Sequence, residues 1–155
     1  MSNSAYDYAL VLLAARPYSE LNIRRKLIMK AFPPTDVDAA VDRLLSSGLI
    51  DDRRYAEQFA RGRLVGRGTS RLRLRQQLFT RGIRGELADA ALDEVIDDEA
   101  VDFDAIAENA ARRKVASMAG LDRVVVRRRL YGHLSRAGYT PDMIRAAMKN
   151  VLGAE

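Results

Sequence analysis

Cysteine and tryptophan are absent from this 155-residue chain, histidine occurs once, and only four prolines and ten glycines punctuate it. Without cysteine there is no disulfide framework, no thiolate nucleophile and no thiolate metal site, a composition that suits a reducing cytosol. The single imidazole, His133, lies beside Leu134 on a helix expected to pack, and there it reads as a structural or surface residue rather than a general base. Long apolar runs are missing too. Residues 9–15 form the longest near the start, far short of the roughly 20 residues a membrane span needs, and residues 1–7 lack the basic segment of a secretory leader. A soluble, cytoplasmic protein with no membrane partner is the expectation. Gly66-Arg67-Gly68 has neither the Lys-Ser/Thr pair nor the preceding strand of a phosphate-cradling loop. The acidic groups Asp51-Asp52 and Asp97-Asp98-Glu99 with Asp102 belong to helix starts, where neighbouring carboxylates point apart and serve as caps. No metal, no other cofactor and no catalysis are expected.

Charge, by contrast, is plentiful and arranged in blocks. The formal net charge is +5, yet residues 53–84 carry ten basic side chains against one acidic, Glu57. Residues 85–111 carry ten acidic side chains and no basic one, and residues 112–155 carry ten basic and three acidic. Arginine supplies 22 of the 26 basic residues, which favours planar, bidentate contact with phosphate or carboxylate over diffuse attraction. Ten basic residues in one such stretch point to a polyanion or an acidic protein surface as partner.

No stretch alternates apolar and polar residues as a half-buried strand does, and helix punctuation is frequent. Ser19 precedes Leu21, Arg24, Leu27 and Ile28, which stop at Pro33-Pro34. Thr35 is placed to cap Val37, Ala40, Val41, Leu44 and Leu45, with Gly48 as the left-handed stop. Asp51 caps a fourth run ending near Gly66, and Ser70 caps Leu72, Leu74 and Leu78, all expected to face inward, before Gly82. A sixth run through Leu87, Leu92 and Ile96 leads to an acidic connector at 97–99. Three more helices follow, closed by Gly120, opened by Asp122, closed by Gly138 and opened by Thr140-Pro141.

Folding these runs onto one another exposes an internal repeat. Residues 27–32, 78–83 and 134–139 align at offsets of 51 and 56, pairing Ile23 with Leu74 and Leu130 upstream. Downstream the alignment pairs Ala40 with Ala91 and Ala147, then Val41 with Leu92 and Met148. The fold class is therefore all-α, three tandem three-helix repeats resembling helix-turn-helix units, over residues 1–50, 51–98 and 99–155. A unit of about fifty residues buries its surface poorly alone, so neighbours lean on one another in a row. An elongated, curved array follows, with a radius of gyration above the roughly 15 Å of a compact globule this long.

Binding residues are sought on the basic faces. Arg71 and Arg75 fall one helical turn apart with Arg73 between them and Arg67 just before. Arg81 follows at the next turn, and Arg112, Arg113, Arg127, Arg128 and Arg129 form the later clusters. These ten arginines are the candidate partner or DNA contacts, with Asp51 as the structural cap that keeps the units in register. Base reading by the third helices is disfavoured, because Asp36, Asp38 and Asp42 occupy one and Glu86, Asp89, Asp93 and Glu94 another. Direct contact with single- or double-stranded DNA should run through phosphates and depend steeply on salt.

The residues also carry a resemblance. The segments Ala15-Arg16-Pro17-Tyr18-Ser19, Gly48-Leu49-Ile50-Asp51-Asp52-Arg53-Arg54-Tyr55-Ala56, Gly66-Arg67-Gly68 with Arg71, Leu78, Gly82 and Ile83, and Leu134 with Gly138-Tyr139 resemble the RecX family, over most of the chain. Two features depart from it: Pro33-Pro34 is unusual, and Ala31 stands where a glycine is typical. The resemblance implies a monomer without catalysis that binds the RecA filament on DNA. It would lie in the filament groove or block extension, inhibiting strand exchange, ATP hydrolysis and co-protease activity. Competition for bare single-stranded DNA is the alternative.

Overall fold

The computed structural model describes residues 4–65 and 68–154. Among them are nine α-helices and no strand, giving the all-α, tandem-repeat fold. The first three-helix set is α1 (Ala5–Ala15), α2 (Glu20–Met29) and α3 (Pro34–Ser46). The second is α4 (Asp52–Leu64), α5 (Arg71–Phe79) and α6 (Gly85–Asp98), and the third α7 (Phe103–Ala116), α8 (Arg123–Arg136) and α9 (Pro141–Leu152).

Short polar side chains start most of these helices. Ser4, Ser19, Asp51, Ser70, Asp102, Asp122 and Thr140 each accept a backbone N–H two or three residues on, satisfying donors the first turn leaves without partners. The third helix is the exception. Thr35 does not cap it: α3 begins at Pro34, with Pro33 in the cap position and no side-chain bond. Proline at the first helical position has no N–H to satisfy and its φ is already helical, so the start moves one residue earlier than the cap rule places it. The acidic connector at 97–99 also differs, since α6 runs on to Asp98. It stops at Ala100, φ 47°, where Val101 N donates to Ile96 O at 3.1 Å; with no glycine there, the stop carries no sequence signal.

The repeat register is plain in the packing. Ile23, Leu74 and Leu130 are fully buried, as are Leu27, Leu78 and Leu134. Ala40, Ala91 and Ala147 are buried, and so are Val41, Leu92 and Met148. Behind each second helix the chain turns in the same way: Phe32, Ile83 and Tyr139 donate to the carbonyls of Leu27, Leu78 and Leu134 at 3.3, 3.0 and 3.3 Å. The residue before each is left-handed, Ala31 at φ 67°, Gly82 at 80° and Gly138 at 94°. The first repeat thus makes with alanine a turn the other two make with glycine, at a cost of about 1–2 kcal/mol for a Cβ in that region.

The chain divides into two compact units, residues 1–59 with 77–91, and residues 60–76 with 92–155. The first contains the core of α1, α2 and α3, where Ala9, Ile23, Leu27, Val41 and Leu44 are fully buried and Tyr8, Leu12 and Phe32 pack around them. Here the Gly82 turn sits on α2: a Cβ added to Gly82 would stand 2.7 Å from Leu21 Cβ, and Arg25 Nη1 donates to Thr80 O at 3.3 Å. Asp52 ties α4 to the same helix by accepting the Glu20 amide on Oδ1 at 2.9 Å. The second unit contains the core of α7, α8 and α9, built on Ala107, Ala111, Leu130, Leu134 and Ile144. There the Gly138 turn sits on α5, with Ser70 Oγ donating to Ala137 O at 2.6 Å and the place of a Gly138 Cβ 3.3 Å from Leu72 Cβ. Leu72 is accordingly not an inward residue; it is 49% exposed, and its Cβ is the part that meets the turn.

Candidate functional site

Helix α5 presents its arginines because of where its leucines go. Leu74 and Leu78 lie on the buried face, and Ser70, itself buried, accepts the Arg73 amide at 3.1 Å and fixes the first turn. Arg71, Arg73 and Arg75 are left on the outer face, Arg73 and Arg75 exposed and Arg71 half-buried. In this unit the acidic helix α6 then takes part of the positive charge. Arg71 donates to Asp93 Oδ1 at 2.7 Å, and on α4 Arg61 reaches Glu99 at 2.7 Å and Asp98 at 3.2 Å. Exposed ion pairs of this kind are worth about 0–1 kcal/mol each, but they consume donors.

In the third repeat Arg112 pairs with Glu108 one turn back, and the same carboxylate accepts from Asn150 Nδ2 at 2.9 Å. These two hydrogen bonds, Arg112 first, hold Glu108 below the usual carboxylate range. Arg113 is exposed. Arg127 is half-buried beside Tyr131, Arg145 and Lys149, whereas Arg128 and Arg129 stand exposed on a different groove, across from Lys114 at the end of α7. Arg73, Arg128 and Arg129 form no ion pair among the described residues.

The lone histidine reports how these charges gather. Burial, then Lys114, Arg136 and Arg73 in that order, push His133 below its ordinary 6.5, so it is neutral at pH 7. Burial likewise raises Tyr139, opposed by Arg113 and Arg73. Side chains from α5, α7 and α8 therefore share one positive field within this unit.

Two candidates sit elsewhere. Arg81 lies in the first unit with its guanidinium 4.4 Å from the Phe59 ring centre, Nε donating to Tyr55 Oη at 3.2 Å and Nη1 to Gln77 O at 2.8 Å. Its donors go to packing the turn after α5 against α4. Arg67 lies outside the described residues. Asp51 Oδ1 accepts the Arg54 amide at 3.0 Å at the start of α4. Its neighbour Asp52 does the cross-helix work, half-buried, its carboxyl raised by that burial and lowered in turn by the Glu20 amide it caps. Sequence reasoning placed both aspartates at caps; that one of them caps a different helix follows only from tertiary contact. It also passed over Arg136; Lys114, which follows Arg112-Arg113 in the basic cluster on α7, and Arg136 join Arg128 and Arg129 only when α7 packs on α8. Among the described residues no three acidic or histidine side chains gather as a metal site, and no helix is long and apolar enough to cross a membrane.

Comparison with known proteins adds what geometry alone does not. The first, second and third three-helix domains of RecX match residues 5–44, 51–92 and 102–148. The regulatory protein RecX of Halorhodospira halophila is 36% identical over 146 residues, spanning 94% of this chain and 87% of its own. That of Chlorobium phaeobacteroides is 32% identical over 147 residues, spanning 95% and 93%. Among solved structures, RecX from Lactobacillus salivarius superposes with a TM-score of 0.76 at 18% identity, over 95% of this chain and 94% of that one. A second crystal structure of regulatory protein RecX gives 0.81 at 20%, over 97% and 72%.

Proposed function

This chain belongs to the RecX family of regulatory proteins, and from that premise we propose that it binds the RecA filament on DNA and restrains it. It does so without chemistry of its own, as a cytoplasmic monomer in recombination, DNA repair and the SOS response. It lies in the filament groove or blocks extension, lowering strand exchange, ATP hydrolysis and co-protease activity. The repeats that do this run 1–50, 51–98 and 99–155.

What supports the reading is the division of the arginines. Arg71 and Arg112 have acidic partners and Arg81 is spent on packing, whereas Arg73, Arg128 and Arg129 have none among the described residues and lie in one unit. Arginines without a partner at an exposed surface suit a partner that brings its own anions, and a filament of protein on DNA presents both phosphate and carboxylate.

The experiment is RecA ATPase on single-stranded DNA at rising amounts of this protein, with the triple variant Arg73→Glu/Arg128→Glu/Arg129→Glu beside the wild type. Inhibition by the wild type well below one copy per RecA, lost in the triple variant at unchanged helicity, is the expected result. Full inhibition by the variant overturns the assignment of the surface. If inhibition instead tracks the concentration needed to coat bare DNA, competition for single strands replaces filament binding.

A further inference from the structure

A groove of about 420 Å³ opens in the first unit where the carboxyl end of α1 meets the start of α4. Two of the distinctive sequence segments, 15–19 and 48–56, contribute to its walls, although they are distant in the chain. The arginines without partners in the second unit draw on neither segment. The apolar part of the lining is Leu13, Tyr18, Tyr55 and Leu49, the last 45% exposed. Tyr55 is held from behind, its ring 6.1 Å from that of Phe59 and its hydroxyl accepting from Arg81 Nε at 3.2 Å. An apolar lining with a few polar groups, in a volume within the roughly 300–1,000 Å³ of binding pockets, directs attention to what those polar groups lack.

Arg16 and Arg54 line the groove and form no ion pair among the described residues, whereas Arg24 and Arg53 of the same unit do. Both are nonetheless held. The Arg16 guanidinium lies 4.5 Å from the Tyr18 ring centre, and Arg54 Nη2 donates to Gly48 O at 2.8 Å. A ring and a carbonyl fix a guanidinium without neutralising it and leave most of its N–H donors open, so an incoming carboxylate meets two forks already in position. The end of α1 supplies the opposite need. Pro17 has no N–H, so Leu13 O loses its helical donor, and the carbonyls of Leu13, Ala14 and Ala15 accept no hydrogen bond among the described residues. These three residues line the same groove. The one carboxylate there, Asp51, has Oδ1 committed to the Arg54 amide at 3.0 Å.

Guanidinium donors, carbonyl acceptors and apolar surface side by side call for a ligand that carries all three complements. A peptide does: side-chain carboxylates, backbone N–H groups and apolar side chains. The phosphodiester backbone of DNA brings anionic acceptors alone, and the negative end of α1 together with Asp51 opposes them. We propose that this groove is a docking site for a short protein segment in which acidic and aliphatic side chains alternate closely. Its carboxylates sit on Arg16 and Arg54, its amides on the carbonyls at the end of α1, and its aliphatic side chains against Leu49 and the two tyrosines. The inference goes beyond the filament reading, since it uses none of Arg73, Arg128 and Arg129, and its test contains no RecA.

The test selects from a phage library of random dodecapeptides on the full chain, counter-selected against the Arg16→Gln/Arg54→Gln variant, which keeps every other basic residue. Surviving peptides should place Asp or Glu within two residues of Leu, Ile or Val. One of them, synthesised with a fluorophore, is then followed by anisotropy. Arg16→Gln and Arg54→Gln should each weaken its binding roughly ten-fold or more, and Leu49→Ser should weaken it too, all at wild-type helicity. Methylating the peptide nitrogens one at a time should find an amide that binding requires. A labelled single-stranded 20-mer should bind the wild type and the double variant alike. The proposal is overturned if no peptide survives counter-selection, if the survivors are basic or lack aliphatic residues, or if no amide matters. It is overturned equally if the double variant, folded by circular dichroism, loses the DNA strand instead, which would assign the groove to phosphates.

Discussion

Replacing Gly82 with alanine places a methyl group where the first unit has no room for one. The new Cβ would lie 2.7 Å from Leu21 Cβ and 2.9 Å from Leu21 Cδ2, at φ 80°. Left-handed backbone costs a Cβ about 1–2 kcal/mol, and forcing a carbon into a packed contact costs about 1–3 kcal/mol more. Leu21 Cβ is tied to the α2 backbone and cannot swing aside as the tip of a long side chain does, so both costs apply. The sum is about 2–5 kcal/mol, a fall in Tm of roughly 4–20 °C for a chain of this length. Urea unfolding followed by helicity measures it. The decisive comparison repeats the substitution in a Leu21→Gly background, which removes the Cβ that the new methyl group meets. There the contact is relieved and only the backbone cost of about 1–2 kcal/mol should remain. Equal destabilisation in both backgrounds would mean that the Gly82 turn does not rest on Leu21.

At the equivalent position of the first repeat the sign reverses. Ala31→Gly relieves a left-handed alanine at φ 67° and, after the added freedom of the unfolded chain, should raise stability by about 0.5–1 kcal/mol; a drop in the urea midpoint refutes the strain. His133 gives the pH dependence. Its folded form sits below the ordinary 6.5, so the unfolded chain takes the proton first and the fold loses stability as pH falls through and below that value. Above about pH 7.5 both forms are neutral and the effect vanishes. The Tm of the wild type relative to His133→Asn should therefore fall from pH 8 to 5, and a constant difference contradicts the assignment.

The repeat was legible because burial and helix stops recur in the same register, and both leave marks in residue type. Ile23, Leu74 and Leu130 are apolar because they are buried, and Gly82 and Gly138 are glycine because their turns are left-handed. Where the fold meets a requirement by other means the marks disappear. Pro34 starts a helix without a cap, and Ala31 and Ala100 turn left-handed without glycine. The arginine surface was half legible. Sequence blocks identify which stretches are basic, but which arginines are neutralised depends on partners 22 to 38 residues away, as Arg71 with Asp93 and Arg61 with Glu99 show. Arg81 looks like its neighbours in sequence and differs only because Phe59 and Tyr55 lie under it. Lys114 and Arg136 belong to the same field as Arg73 only through the packing of three helices around His133.

The central claim is that the arginines without internal partners meet the filament. Arginine-specific chemical footprinting of the protein alone, on bare single-stranded DNA and on RecA filaments, tests it most directly. The account predicts that Arg73, Arg128, Arg129 and Arg136 are reactive in the free protein and protected on filaments, with Arg81 changing little. Protection confined to arginines of the first unit, such as Arg16 and Arg54, with Arg73, Arg128 and Arg129 as reactive as before, would contradict it.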